Sequence, residues 1–227
     1  MAPSEYLFMQ MELEGKCRVG DNLIAPAGPT SEGVPLVLLA RTSDGESLTF
    51  PDASIPSEVK QRLILPDLAG FSMETSLEAR RADGLLLTEG HYRTYVLPEA
   101  LDQSDCGEVV CCSQNDPAIV AFGFHGLSDE VYAIKVGEEV VAACVSSRQD
   151  TRAAEAWVYV HPDHRRRGLA RKVVKAWACG MRAAGRTPFY SHLAENESSA
   201  ALAMRLGLTL VFEEKALERE SAGQETA

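Results

Sequence analysis

The chain of 227 residues lacks several features that mark particular protein classes. No apolar run approaches the roughly 20 residues that a membrane span needs, and residues 1–14 carry no basic start followed by an apolar stretch. The six cysteines show no metal-like spacing with the five histidines, and adjacent Cys111 and Cys112 are not typical of secreted disulfide scaffolds. We therefore expect a cytoplasmic protein with reduced thiols and no bound metal.

Positive charge is scarce and concentrated in one stretch. The net charge is −11, yet the segment from Arg148 to Arg186 holds ten lysines or arginines against three acidic residues, a balance of +7. A basic patch suits a ligand that carries several phosphates. The acidic remainder disfavours nucleic acid, and it either attracts a cationic amine or only keeps the protein soluble.

Residues 160–170 are the most informative segment, and they read Val-His-Pro-Asp-His-Arg-Arg-Arg-Gly-Leu-Ala. A strand-like run, 154–160, precedes them. Apolar residues at three- and four-residue steps follow, as on the buried face of a helix: Leu169, Val173, Ala176, Trp177, Gly180, Met181 and Ala184. Because Gly168 and Ala170 have almost no side chain, a ligand can approach the backbone N–H groups of residues 166–170 at the positive end of that helix. The pattern predicts a phosphate site, with a solvated run of arginines as the alternative.

The spacing of this segment resembles that of a known family. Arg165-x-x-Gly168-x-Ala170, preceded by Val160-x-Pro162, resembles the acetyl-CoA pyrophosphate loop of the GCN5-related N-acetyltransferase (GNAT) superfamily. Residues 189–191, Phe-Tyr-Ser, resemble the family's next strand. The last motif of the family resembles a third segment of this chain, Asn196-x-x-Ser199-x-x-Leu202 followed by Gly207-Leu208. The resemblance covers residues 108–213.

The resemblance implies an α+β fold in which helices flank a central mixed, mostly antiparallel sheet, with a smaller N-terminal α/β region. We predict an N-terminal region at 1–105 on the substrate side, an acetyl-CoA-binding domain at 106–213 and a polar tail at 214–227. The residue patterns predict strands at 34–41, 47–50, 84–88, 92–97, 131–136, 139–147, 154–160 and 188–193, and helices at 57–65 and 169–184. Residues 131–136 and 139–147 form a hairpin, 118–124 is a helix or a strand, and the chain from Glu213 onward is polar enough to fray.

The resemblance also implies a set of cofactor-binding residues. The strand backbone near Val158 would polarise the thioester carbonyl, and Asn196 would open a helix beside the pantetheine arm. The full set is Val158, Tyr159, Val160, Arg165, Arg166, Arg167, Gly168, Leu169, Ala170, Arg171, Asn196 and Ser199.

The catalytic candidates follow from the same likeness. Glu155 lies close to where many family members place a glutamate base, and an ordinary surface glutamate is the alternative. His192, at the end of the neighbouring strand, is the second candidate. Many members carry a tyrosine acid directly after the leucine of the last motif, but this chain has Ala203. Tyr190, Ser191 or solvent would then protonate the departing thiolate, and the sequence leaves that choice open.

The implied activity is transfer of an acetyl group from acetyl-CoA to a primary amine, with a small molecule as the partner and neither nucleic acid nor a membrane. Residues 184–191, Ala-Gly-Arg-Thr-Pro-Phe-Tyr-Ser, are similar to a subgroup of two-part self-resistance acetyltransferases of the zwittermicin type. Ala203 motivates an alternative, a degenerate GNAT domain that binds acyl-CoA as a sensor or interaction module. Two alternatives stay open: the acceptor is an amine of a protein, and the chain forms a homodimer.

Overall fold

The protein is described from a computed structural model. The structure describes residues 1–20, 23–27, 34–58, 87–102, 104, 106–124 and 128–219. They form two compact units. The first unit takes in the described residues of Met1–Thr94, Leu193–Glu195 and Leu210–Ala227, and the second unit takes in those of Tyr95–His192 and Asn196–Thr209.

The first unit combines a helix with strands that are distant in sequence. Helix α1 spans Pro3–Leu13 and begins at a proline, whose fixed φ suits the first turn. Strands β1 (Lys16–Val19) and β2 (Leu23–Pro26) pair antiparallel. The other strands are β3 (Val37–Thr42), β4 (Ser47–Pro51), β5 (Leu87–Val96) and β11 (Thr209–Arg219), in the sheet order β4-β3-β11-β5.

The second unit contains the segment that the sequence singles out. Its strands are β6 (Val110–Ser113), β7 (Glu130–Val136), β8 (Glu139–Gln149), β9 (Ala153–Val160) and β10 (Thr187–Leu193), in the sheet order β10-β9-β8-β7-β6. Its helices are α2 (Pro117–Phe122), α3 (Leu169–Ala183) and α4 (Glu197–Leu206). Strands β6 to β9 pair antiparallel, whereas β10 pairs parallel to β9.

Helix α3 supplies the main core of the second unit. Its apolar face, which includes Val173, Trp177 and Met181, is buried together with Ala154 and Ala156 of β9. The indole N–H of Trp177 donates to the Ser146 hydroxyl over 3.0 Å, which satisfies a polar group inside the core. The helix is therefore fixed against the sheet, and its N-terminus is fixed with it.

Most of the predicted elements are confirmed. Strands at 34–41, 47–50, 92–97, 131–136, 139–147, 154–160 and 188–193 each coincide with an observed strand to within a few residues, and 118–124 is the helix α2. Helix α3 ends where Gly185, with φ of 77°, donates its N–H to the Arg182 carbonyl. Residues 59–65 of the predicted helix and 84–86 of the predicted strand lie outside the described residues.

The expectation of a frayed tail is wrong for residues 213–219. These residues belong to β11, which pairs antiparallel with β3 from Phe212↔Thr42 to Leu217↔Val37. Two of the charged side chains responsible for the polar appearance of this segment form ion pairs, Glu213 with Arg93 at 2.8 Å and Lys215 with Glu89 at 3.2 Å. The contacts thus group the last strand with the N-terminal strands, whereas the sequence patterns suggest a boundary near residue 105.

The fold is a mixed α+β fold with a large, mostly antiparallel sheet flanked by helices, as predicted. Within the part of the chain that the structure describes, no helix is both long and apolar enough to cross a membrane.

Candidate active site

A short loop joins β9 to α3 and leaves a row of backbone donors open. It contains a 3-10 turn, Pro162–His164, and then two residues in the left-handed region, Arg166 with φ of 60° and Gly168 with φ of 79°. Among the described residues, the N–H groups of 166–170 donate to no other protein group. Donors arranged in this way at a helix N-terminus form an anion-binding concavity.

Gly168 is the N-cap residue of α3, and its backbone conformation explains the residue type. Side chains other than glycine rarely adopt this φ, and a left-handed conformation costs them about 1–2 kcal/mol. A Cβ built on Gly168 meets no heavy atom within 4 Å, so the requirement comes from the backbone and from the space that glycine leaves above the amides. Arg166 adopts the left-handed conformation without being glycine, a kind of strain that concentrates at functional sites.

Two of the loop arginines are held by neighbours. The Arg165 Nε donates to the Val160 carbonyl over 3.1 Å, and its guanidinium lies 5.8 Å from the centre of the Tyr159 ring. One Arg167 Nη lies 3.0 Å from Nδ1 of His164. The loop therefore presents positive charge in fixed positions beside the open amides, which favours a ligand with several negative charges.

The parallel strands β9 and β10 are paired over only part of their length. Their register runs from Thr187↔Ala153 to Phe189↔Glu155. Beyond these pairs β9 continues to Val160 and β10 to Leu193. The backbone of β9 that leads into the loop is thus left with hydrogen-bonding groups for an extended ligand.

A cavity of about 680 Å³ opens where the loop, these strand ends and α4 meet. All of the predicted cofactor-binding residues line it except Arg167. Tyr190, a predicted catalytic residue, lines it as well. Five further residues line the cavity: Leu202, which belongs to the last motif, His164, which lies in the loop, and Ser198, Ala201 and Arg205, which the sequence patterns did not indicate. Ser198, Leu202 and Arg205 follow one another at steps of four and three residues, and this spacing on one helix face is the signal that could have identified Arg205.

Asn196 caps α4 as the sequence predicts. Its side-chain oxygen accepts from the Ser199 N–H over 3.0 Å and from the Ser198 hydroxyl over 2.8 Å. Because Asn196, Ser198 and Ser199 also line the cavity, the cap holds polar groups at its wall.

Tyr190 is buried, and burial raises the pKa of its phenol to about 12. A hydrogen bond with Ser199 acts in the opposite direction and lowers this pKa by less. The phenol is therefore protonated at neutral pH, so Tyr190 can donate a proton into the cavity that it lines.

The two candidate bases lie elsewhere in the second unit. Glu155 is 7% exposed, and its carboxylate accepts from the Arg148 guanidinium at 2.8 Å. His192 is buried, stacks on Tyr95 with ring centres 5.6 Å apart and lies 6.1 Å from the Tyr190 ring. Neither Glu155 nor His192 is among the described residues that line the cavity. The structure brings together Tyr190 and the predicted cofactor residues other than Arg167, and it leaves the two bases apart.

The strand register determines the face of the sheet to which Glu155 points. The irregularity near this position falls between Ser146 and Arg148 of β8, so β9 alternates regularly. Ala154, Ala156, Val158 and Val160 face α3, whereas Glu155 shares the opposite face with Trp157 and Tyr159.

Packing explains why a small residue stands at position 203. Ala203 is 1% exposed and belongs to the core that α3 forms with the sheet. Across the described ranges no three His, Cys, Asp or Glu side chains converge as metal ligands would.

A family model described as GNAT acetyltransferase matches residues 131–217. The match covers less than half of the chain, so it shows a likeness of this segment to the GNAT family. It spans β7 to β11 and includes the loop, the cavity walls and the cap of α4.

Solved structures support the GNAT fold. An acetyltransferase of the GNAT family from Colwellia psychrerythraea is 13% identical, with 97% of this chain and 98% of that chain covered and a TM-score of 0.52. A GCN5-related N-acetyltransferase-like protein from Streptococcus suis 89/1591 is 15% identical, with 82% and 84% covered and a TM-score of 0.50. At these identities the likeness concerns the fold alone. No curated protein matches the sequence.

Proposed function

We propose that this protein is an acetyl-CoA-dependent N-acetyltransferase that acts on a primary amine of a small molecule in the cytoplasm. The observation that carries the proposal is the convergence of three features on one cavity of about 680 Å³: the open loop amides, the held guanidinium of Arg165, and the end of β9 beyond its pairing with β10. This combination suits a long ligand with a pyrophosphate at one end and amides along its arm.

The residues present fit acetyl-CoA, whose thioester supplies the acetyl group. The amides of 166–170 and Arg165 would hold its pyrophosphate at the N-terminus of α3. The backbone of β9 near Val158 would pair with the arm and polarise the thioester carbonyl. Asn196 and Ser199 would contact the arm from the opposite wall. The other lining residues in the predicted set, Tyr159, Val160, Arg166, Leu169, Ala170 and Arg171, complete the binding surface.

The transfer forms a bond between the amine nitrogen and the carbonyl carbon, and it breaks the bond between that carbon and sulfur. An amine near pKa 10 is mostly protonated at neutral pH, so a base must take one proton. We assign this role to Glu155, whose ion pair with Arg148 involves the ionised carboxylate, the form that accepts a proton. His192 is the alternative. Tyr190 supplies the proton that the departing sulfur takes, and solvent returns to the phenol the second proton that the nitrogen loses as the amide forms.

The acceptor class and the subgroup are the finer parts of the proposal. An acidic chain favours a cationic amine over a polyanion, which supports a small amine as acceptor. The likeness of residues 184–191 to zwittermicin-type self-resistance acetyltransferases supports the two-part subgroup.

The binding half of the proposal is tested by calorimetry with acetyl-CoA. Arg165→Ala should weaken binding about tenfold, because one charge and one fixed hydrogen-bonding group are lost beside the pyrophosphate. Arg152→Ala is the control, since it removes the same charge just before β9, at the strand end opposite the loop. Equal affinities for both variants would contradict the assignment of the loop.

The catalytic half is tested by mass spectrometry of an amine panel incubated with acetyl-CoA. The proposal predicts an acetamide product from at least one small amine. Tight acetyl-CoA binding without any acetamide would instead support the acyl-CoA sensor.

A further inference from the structure

Four aromatic side chains form a contiguous cluster on the second unit, and two of them, Trp157 and Tyr159, are exposed. They are Phe122 and Phe124, which lie in and just after α2, and Trp157 and Tyr159 of β9. The Trp157 and Phe124 rings stack with centres 4.6 Å apart and planes 3° apart. The centre of the Phe122 ring lies 5.3 Å from that of Phe124 and 5.5 Å from that of Tyr159. We call these four residues the aromatic surface.

Trp157 and Tyr159 are the exposed part of this cluster, whereas Phe124 is buried beneath the Trp157 ring with 2% of its surface exposed. Trp157 is 44% exposed and Tyr159 is 38% exposed, whereas their partners across the ladder, Val145 and Ala143, are fully buried. One face of the Trp157 indole is covered by Phe124, so its exposed area lies on the other face and the edges. Large exposed aromatic rings that are held rigid are typical of binding surfaces.

The aromatic surface continues the candidate active site. Tyr159 lines the cavity, so it belongs to both surfaces. Side chains two residues apart on a strand point to the same face about 6.6–6.8 Å apart. Trp157 therefore lies between Tyr159, at the cavity, and Glu155, the proposed base. An amine that passes from Glu155 towards the cavity crosses the exposed indole.

We propose that the aromatic surface binds the acceptor and that the acceptor is an arylalkylamine, a primary amine carried on a planar aromatic group. This inference rests on the proposed N-acetyltransferase function. A flat aromatic group stacks on an indole face, and the protonated amine is attracted to the same π-systems before it loses its proton. A polyhydroxylated amine would find ring faces in place of the hydrogen-bonding partners that its hydroxyl groups need.

Binding is measured first, because it does not depend on turnover. The chain has two tryptophans, and Trp177 is fully buried, so Trp157 is the exposed fluorophore. Titration with 2-phenylethylamine should change the tryptophan fluorescence of the wild type and of a Trp177→Phe variant. The Trp157→Phe variant should lose the fluorescence change, because its remaining tryptophan is buried.

Kinetics then test specificity with 2-phenylethylamine and n-propylamine as paired acceptors. The wild type should prefer phenylethylamine, and Trp157→Ala should lower kcat/KM for it about tenfold while changing the value for propylamine less than about twofold. Trp157→Phe should restore most of the loss. Val136→Ala removes an exposed apolar side chain at the end of β7 and should change neither value.

The outcomes separate this inference from the proposed function. If amines are acetylated but Trp157→Ala affects both acceptors equally, or the wild type does not prefer phenylethylamine, the inference is overturned and the function stands. If no amine is acetylated while phenylethylamine still changes Trp157 fluorescence, the function fails and the binding surface is supported. Loss of acetyl-CoA binding in Trp157→Ala, measured by calorimetry, would also overturn the inference, because it would make Trp157 part of the cofactor site.

Discussion

Substitution of Gly168 by aspartate tests the loop most sharply. The change has two separable effects. A side chain at φ of 79° strains the backbone by about 1–2 kcal/mol, which lowers the free energy of unfolding. The new carboxylate also stands beside the amides that we assign to the pyrophosphate. Because nothing lies within 4 Å of the Cβ position, a steric clash adds no third effect.

The electrostatic part follows from Coulomb's law. Two unit charges about 5 Å apart at an effective dielectric constant near 20 repel by about 3 kcal/mol. The loop is exposed, so solvent reduces this value, and we expect about 1–3 kcal/mol. That corresponds to acetyl-CoA binding weakened about 10- to 100-fold. Gly168→Asn has nearly the same size without the charge, and it should weaken binding by less than about fivefold.

Gly185 provides a matched control. Its φ is 77°, a Cβ there also meets nothing within 4 Å, and it lies at the other end of the same helix. Gly185→Asp should therefore lower thermal stability about as much as Gly168→Asp and leave acetyl-CoA affinity unchanged. Calorimetry and thermal unfolding of these three variants and the wild type test both effects. Equal acetyl-CoA affinities for Gly168→Asp and Gly168→Asn would refute the assignment of the loop to phosphate.

Four further predictions concern the remaining site residues. Asn196→Ala should lose turnover while the free energy of unfolding falls by only about 1 kcal/mol, so a variant that is insoluble, while the wild type is not, would make the residue structural. Glu155→Gln should lower turnover about 100-fold at saturating acetyl-CoA with little change in acetyl-CoA affinity. A basic limb of the pH–rate profile that survives in Glu155→Gln but is lost in His192→Ala would transfer the role of base to His192. Tyr190→Phe should lower kcat without changing acetyl-CoA affinity, and unchanged kcat would mean that solvent protonates the sulfur. Because the folded protein holds the phenol proton of Tyr190, with its pKa raised to about 12, more tightly than the unfolded chain, the free energy of unfolding should fall as pH rises from about 10 towards 12. Denaturant titrations should show a smaller fall over that pH range in Tyr190→Phe.

The loop and its flanking elements were predictable because their signals are local. Gly168 marks a left-handed position, the apolar steps after Leu169 mark a buried helix face, and Asn196 caps the helix that it precedes. Each signal depends on residues within a few positions of one another, so one stretch of sequence contains all of it.

Strand β11 was missed because its stability is not local. Glu213, Glu214 and Lys215 appear polar in sequence, but β11 pairs with β3, which lies some 170 residues earlier, and Glu213 pairs with Arg93. The pairing of Glu155 with Arg148 across a bulge in β8 was hidden for the same reason. A one-residue register shift reverses the face to which a side chain points, and sequence alone does not fix the register.

The most direct test of the proposed reaction is an incubation with acetyl-CoA that carries an isotopically labelled acetyl group, together with 2-phenylethylamine and the purified protein. Mass spectrometry follows the label, and a Gly168→Asp sample is run in parallel. We predict the label in an acetamide of the amine, formed much more slowly by the variant at low acetyl-CoA. Acetyl transfer would be contradicted if acetyl-CoA binds the wild type but the label stays on CoA with every amine supplied.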